Sequence, residues 1–324
     1  MRCNASARSD TARETVTRRA LRRRRGMSDP IAAFRASEER LHDAHGLSVK
    51  ERELFLSRPK MRARVLESGT GPATLHVHGG GGFASSMVPL AAALPQRTHF
   101  LVDRPGFGLS DYVAIGPSLR AHAVDFLVSV LDALALDTVD IIANSMGALW
   151  SLWLALDHPK RVKSLALVGA PALVGGGSAP VPMRLLGKPL LGALMMWLES
   201  PSPKQVRTLW RRMGHDPDAL APAILDATLT AQMLPAYGRA WRELLGVALD
   251  LKGAASDVAF ADEDLARLAC PVTYVWGKLD PFGDAKFGEE VAKKTPGARF
   301  SVAGVGHLPW LDDAKRVAEG VERD

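Results

Sequence analysis

The stretch Val139-Asp140-Ile141-Ile142-Ala143-Asn144-Ser145-Met146-Gly147 decides how this chain is read. Its first four residues are mostly apolar and β-prone, and they lead to a serine with Ala143 two places before it and Gly147 two places after it. The run Ala148-Leu149-Trp150-Ser151-Leu152-Trp153-Leu154-Ala155-Leu156 then reads as a buried helix. A strand that turns sharply into a helix pushes the side chain at the corner out above the sheet edge. The flanking residues must be small, because the corner strains the backbone and a larger side chain would crowd strand or helix. Ser145 is the candidate nucleophile.

A serine hydroxyl attacks a carbonyl efficiently only when a base takes its proton and a third group orients the base. Both partners lie downstream. Val272-Thr273-Tyr274-Val275-Trp276 is β-branched and aromatic, a buried strand, and it runs into Gly277-Lys278-Leu279-Asp280. An aspartate just past the carboxyl end of a strand sits on the edge where open α/β sheets build their sites. Arg299-Phe300-Ser301-Val302 reads as a short last strand, followed by the glycine-rich loop Gly304-Val305-Gly306-His307. Asp280 is thus the expected orienting acid and His307 the expected base. His215 is a weaker candidate base, since no strand end holds it. Asp157 reads as a helix end, Asp284 as the cap of the next helix, and Ala170-Pro171-Ala172 offers no acid after the strand ending at Gly169.

Negative charge developing on a carbonyl oxygen needs preorganised donors. Thr74-Leu75-His76-Val77 is a strand, and His78-Gly79-Gly80-Gly81-Gly82 follows at once. Four consecutive glycines leave backbone N–H groups within reach of a substrate oxygen. Gly80 N–H is the first expected donor, Gly81 the next, and Met146 N–H supplies the other, with His78 supporting the loop.

With Asp103-Arg104-Pro105-Gly106-Phe107-Gly108-Leu109-Ser110 added, these motifs resemble the α/β-hydrolase superfamily in its lid-bearing branch. The resemblance runs from about Arg58 to the C-terminus. The order Ser145, Asp280, His307 is the order of that superfamily. The Asn-Ser-Met-Gly corner and the glycine-rich loop look most like hydrolases of carbon–carbon bonds in aromatic-ring degradation. The resemblance implies a serine triad of Ser145, Asp280 and His307, with no cofactor and no metal.

Composition fits one sizeable enzyme domain: 324 residues, 47% of them hydrophobic. The net charge of +6 is a property of the tail. Residues 1–26 hold nine arginines and two acids, a sum of +7, so the other 298 residues sum to −1. A neutral body lacks the basic footprint of a nucleic-acid enzyme. The tail reads as disordered, with Met27 an alternative start. Its richness in Arg, Ser and Ala with few acids also resembles an organellar transit peptide. Cys3 and Cys270 make no disulfide framework, so a cytoplasmic, reducing compartment is expected.

Residues 27–57 are expected to form a helical N-terminal extension, with Ile31, Phe34, Leu41, Leu47 and Leu54 at helical spacing. Residues 58–173 and 265–324 read as the core: strands alternate with helices in a doubly wound, mostly parallel sheet, an α/β fold. Ser118 is expected to cap a helix whose Leu119, His122, Phe126, Val130 and Leu134 form one buried stripe. Residues 174–264 hold no convincing strand and are too long for a structureless loop, so they read as a helical lid. Met183, Met195, Met196, Trp197, Trp210, Met213, Met233 and Trp241 are its apolar residues, available to line a pocket or to pack the lid on itself. Lys188 and Pro189 interrupt Leu185–Leu198, so no membrane span is expected there. The reading is a serine hydrolase of small or medium apolar esters. Carbon–carbon bond hydrolysis of vinylogous diketones is the alternative, and a non-catalytic ligand binder the third possibility.

Overall fold

Helix α1 (Pro30–Ala44) starts where Asp29 accepts the Ile31 N–H and Pro30 presets the first helical φ. The computed structural model describes residues 29–176 and 179–322, so the arginine-rich tail lies outside the described residues. A hairpin follows, β1 (Lys50–Ser57) and β2 (Lys60–Ser68). The helical reading of 27–57 is therefore corrected in its second part. Leu54 and Leu56 are buried while Phe55 between them is 77% exposed, the alternation of a strand with one solvated face. Helix α1 ends before Gly46, which adopts φ +61. The seven-residue step from Leu47 to Leu54 runs from the loop after α1 into β1.

The chain continues through β3 (Ala73–Val77), α2 (Val88–Ala92), β4 (Thr98–Val102), α3 (Leu119–Ala133), β5 (Val139–Ala143), α4 (Ser145–Asp157) and β6 (Val162–Val168). Ser118 caps α3 by accepting the Ala121 N–H, and all five residues of the expected stripe are buried. Among the described residues an insert of five helices follows: α5 (Val181–Leu186), α6 (Pro189–Leu198), α7 (Pro203–Arg212), α8 (Pro222–Gln232) and α9 (Tyr237–Ala248). The chain then returns through α10 (Asp262–Leu265), β7 (Val272–Trp276), α11 (Ala285–Lys293), β8 (Arg299–Val302) and α12 (Trp310–Glu322).

Eight strands make one sheet in the order β1-β2-β4-β3-β5-β6-β7-β8. The β1–β2 and β2–β4 pairs are antiparallel and every other pair is parallel. The fold is the expected doubly wound α/β sheet. Neighbouring residues of one strand enter opposite cores. Ile141 packs with α3 and α4, whereas Ile142 packs with α2 and α12. Cover on both faces explains why these strands read as unbroken apolar runs. The register sets Val77 beside both Val102 and Ala143, so the parallel strands end level and their following loops share one edge.

Buried ion pairs tie the N-terminal segment to that edge. Arg64 on β2 meets Glu38 of α1 at 2.8 Å, Glu51 at 2.7 Å and Asp103 at 3.1 Å. Asp103 also accepts the Ala84 and Leu109 N–H groups, which fixes the loop after β4.

Candidate active site

Ser145 stands at the β5–α4 corner with φ +52, a left-handed backbone that a non-glycine residue holds only when its surroundings impose it. The constraint is visible at Gly147, where a Cβ would lie 2.3 Å from the Val77 carbonyl oxygen. The first turn of α4 is pressed onto the end of β3, as the small residue in the sequence anticipates. Asn144 holds the corner from behind. Its Nδ2 donates to the Val168 carbonyl at 2.7 Å and to the His307 carbonyl at 3.1 Å. Gly169, at φ +77, leaves the space for this, since a Cβ there would meet the His307 oxygen at 2.2 Å.

Asp280 and His307 meet directly, His307 Nδ1 lying 2.8 Å from Asp280 Oδ2. The same Oδ2 accepts the Ala170 N–H, and Oδ1 accepts the Phe282 N–H. Burial opposes ionisation of Asp280, but the charge and hydrogen bond of His307 and the two backbone donors outweigh it and hold the carboxyl below its ordinary range. An ionised acceptor at Nδ1 places the proton there and leaves Nε2 with a free lone pair. The Phe282 ring packs on the imidazole, centroid to centroid 4.4 Å. Asn144, the residue before Ser145, binds the His307 backbone.

The glycine loop runs alongside. A Cβ on Gly79 would sit 3.1 Å from the Ser145 Cβ; one on Gly80 would strike Trp241 at 2.8 Å, and one on Gly81 the Tyr237 hydroxyl at 2.9 Å. The loop is thus packed between the serine corner and α9 of the insert. Met146, buried, lies in the first turn of α4, where backbone N–H groups have no intrahelical acceptor. His78 accepts the Arg104 N–H on Nε2, so its Nδ1 carries a proton and donates to the Gly79 oxygen. Burial holds His78 neutral.

His215 has a different task from that of a base. Its Nε2 accepts the Leu308 N–H, so Nδ1–H donates to Asp312 at 2.9 Å, and both ring nitrogens are engaged. Beside it, Met213 oxygen accepts the His307 N–H at 2.8 Å, tying the insert to the histidine loop. Of the apolar residues expected in the insert, Trp241 and Met213 reach the site loops, whereas Trp197 is 74% exposed. Asp157 pairs with Arg120 and Asp284 caps α11, so neither approaches His307. Sequence reasoning missed Asn144, Tyr237 and Phe282 as supports of the site. The glycines opposite Asn144 and Tyr237 were the available signal.

A mostly parallel sheet with a serine corner, an acid and a histidine on one edge, and helices inserted after β6, is the architecture of a hydrolase. The chain belongs to the alpha/beta hydrolase family, whose family model matches residues 75–320. Similar proteins include a 2-hydroxymuconate semialdehyde hydrolase of Pseudomonas putida, 27% identical over 266 residues that span 81% of this chain and 89% of the relative. An uncharacterized protein of Mycobacterium bovis is 30% identical over 273 residues, 79% of this chain and 76% of that one. Among solved structures, the fold is similar to that of the carboxylesterase CesB of Bacillus subtilis, with TM-score 0.70, 19% identity and coverage of 91% and 97% of the two chains. It is also similar to the 2-hydroxy-6-oxo-6-phenylhexa-2,4-dienoate hydrolase of Rhodococcus, with TM-score 0.66, 20% identity and coverage of 85% and 98%. No helix among the described residues is long and apolar enough to cross a membrane.

Proposed function

We propose that this hydrolase acts by acyl transfer through Ser145 to water, on small or medium carboxylic esters with apolar groups. The observation that carries the reading is the 2.8 Å contact of His307 Nδ1 with an ionised, buried Asp280, on the edge that also presents Ser145 at φ +52. In this mechanism His307 Nε2 takes the Ser145 proton as Oγ attacks the ester carbonyl. The tetrahedral oxyanion rests on the N–H groups of Met146 and Gly80, with Gly81 the neighbouring donor. Asp280 stabilises the imidazolium, which then protonates the leaving alkoxide. Water, deprotonated by His307, releases the acid from the acyl-enzyme. Residues 174–264 act as a lid, with Tyr237 and Trp241 forming an apolar wall over the glycine loop. No cofactor or metal takes part.

A second reading uses the same residues to hydrolyse a carbon–carbon bond of a vinylogous diketone. It is favoured by the similarity, across 81% of the chain, to a relative named for a muconate semialdehyde. The test is a screen of p-nitrophenyl esters of graded chain length beside one dienoate ketone, with a fluorophosphonate probe. Wild type is expected to be labelled and to turn over short esters, and Ser145→Ala to do neither. Dienoate turnover without ester turnover selects the second reading. An unlabelled, inactive wild type overturns both and leaves a ligand-binding role.

A further inference from the structure

Among the described residues two arginines are buried, and they are satisfied in opposite ways. Arg64 is surrounded by the carboxylates of Glu38, Glu51 and Asp103. Arg104 is just as buried, yet among the described residues no carboxylate pairs with it, and its Nε and Nη1 have no protein acceptor. Its faces lie against aromatic rings, 4.8 Å from the Trp150 centroid and 5.1 Å from that of Phe107. Burial pulls the guanidinium down to about 9, so it remains a cation at neutral pH. An uncompensated buried cation is costly to a fold, and a neutral residue of similar volume is cheaper.

The hydrogen bond that Arg104 does make indicates what the charge is for. Nη2 donates to the Gly79 carbonyl at 2.6 Å. The same oxygen takes His78 Nδ1–H at 2.8 Å and Gly82 N–H at 3.1 Å. Three donors thus converge on one oxygen and fix the plane of the Gly79–Gly80 peptide. In a trans peptide the C=O and the following N–H point in opposite directions. With the Gly79 oxygen drawn into the buried cluster, the Gly80 N–H points out of it. A Cβ on Gly79 would sit 3.1 Å from the Ser145 Cβ, and one on Gly80 would come within 3.8 Å of the Met146 Cβ.

We infer that Arg104 is a positioning residue for the oxyanion. Its guanidinium clamps the Gly79 carbonyl, which aims the Gly80 N–H, and its positive charge polarises that peptide so that the N–H donates more strongly. Hydrogen bonds in a chain reinforce one another when the interior is poorly screened. The cation left uncompensated in the resting protein lies one peptide from the place where negative charge appears in the reaction. This inference rests on the serine-hydrolase reading above, and its test separates the two.

The experiment compares wild type, Arg104→Met and Arg104→Lys on the best p-nitrophenyl ester. It adds two inhibitors of similar shape: a trifluoromethyl ketone, which forms an oxyanionic adduct with serine, and the matching methyl carbinol, which binds without an oxyanion. Loss of aim at one donor is expected to lower kcat/KM about 10- to 100-fold in Arg104→Met, mostly through kcat. The trifluoromethyl ketone should weaken by the same factor while the carbinol stays within about twofold, because only the former resembles the transition state. Arg104→Lys, which keeps charge but not the fork, should fall between. Equal weakening of both inhibitors, or wild-type kcat in Arg104→Met, overturns the inference. If the methionine variant does not fold, the lysine variant decides by the same comparison: a selective loss for the trifluoromethyl ketone supports the clamp, and equal effects on both inhibitors reject it. A wild type that neither reacts with fluorophosphonate nor hydrolyses any ester rejects the serine mechanism itself, which is a different result.

Discussion

Asp280→Asn is the substitution that tests the site most sharply, because the structure leaves the new amide no good orientation. Asp280 accepts from His307 Nδ1 and Ala170 N–H on one oxygen and from Phe282 N–H on the other. An asparagine with its oxygen toward His307 turns its NH₂ against the Phe282 N–H. Flipped, it turns its NH₂ against the Ala170 N–H and forces His307 Nδ1 to accept, which moves the imidazole proton to Nε2 and removes the base. Even in the first orientation the imidazolium loses a neighbouring negative charge. At a charge separation of ~4 Å and an effective dielectric near ~20, that Coulomb term is about 4 kcal/mol. A loss of that size is about a thousandfold in rate. The mispaired backbone donor should cost a further 1–3 kcal/mol, roughly, of folding stability. The assay is steady-state hydrolysis of a p-nitrophenyl ester, with urea unfolding of the same preparation. A folded Asp280→Asn protein within about tenfold of wild-type kcat/KM would refute the assignment of Asp280 as the partner of the base.

Two further outcomes follow from the packing and the ion pairs. Gly147→Ala forces a methyl group to 2.3 Å from the Val77 oxygen, so β3 and α4 must separate; the expected cost is about 3 kcal/mol, a melting temperature lower by roughly 6–12 °C, with loss of activity. Glu51 is held down to about 2 from 4.5, foremost by its hydrogen bond to Arg35 and with Arg64 adding to it against burial. A carboxyl with a depressed folded-state value stabilises fully above its unfolded value and loses that contribution as pH falls from 4.5 toward 2. Glu51→Gln should therefore destabilise by about 1 kcal/mol at neutral pH, discounted for partial exposure. That difference from wild type should shrink as unfolding is measured at progressively lower pH; a difference that does not change with pH would contradict the ion-pair account.

Residues close in sequence made much of this protein legible before any coordinates. The corner at Ser145 was readable because an apolar strand, small flanks and an apolar helix lie within about a dozen residues, and backbone strain there is a local matter. The Ser118 cap, the α3 stripe, and the strands β7 and β8 with Asp280 and His307 beyond them were readable for the same reason. The strand at Lys50–Ser57 was not, because two buried leucines on an edge strand carry too little periodicity to overrule the helix before them.

What the sequence by itself determined was the alternation of elements, the residue types available for chemistry, and their order along the chain. Only the tertiary structure decided their partners. It engaged both nitrogens of His215 with Asp312 and Leu308, and it sent Arg64 to three carboxylates but Arg104 to a single peptide oxygen. It also laid Trp241 and Tyr237, nearly a hundred residues beyond the serine, against the glycine loop. The reason is physical. Turn chemistry and periodicity are set by neighbours a few residues apart, whereas the partner of a buried charge is set by which distant surfaces close around it when the sheet is covered on both faces.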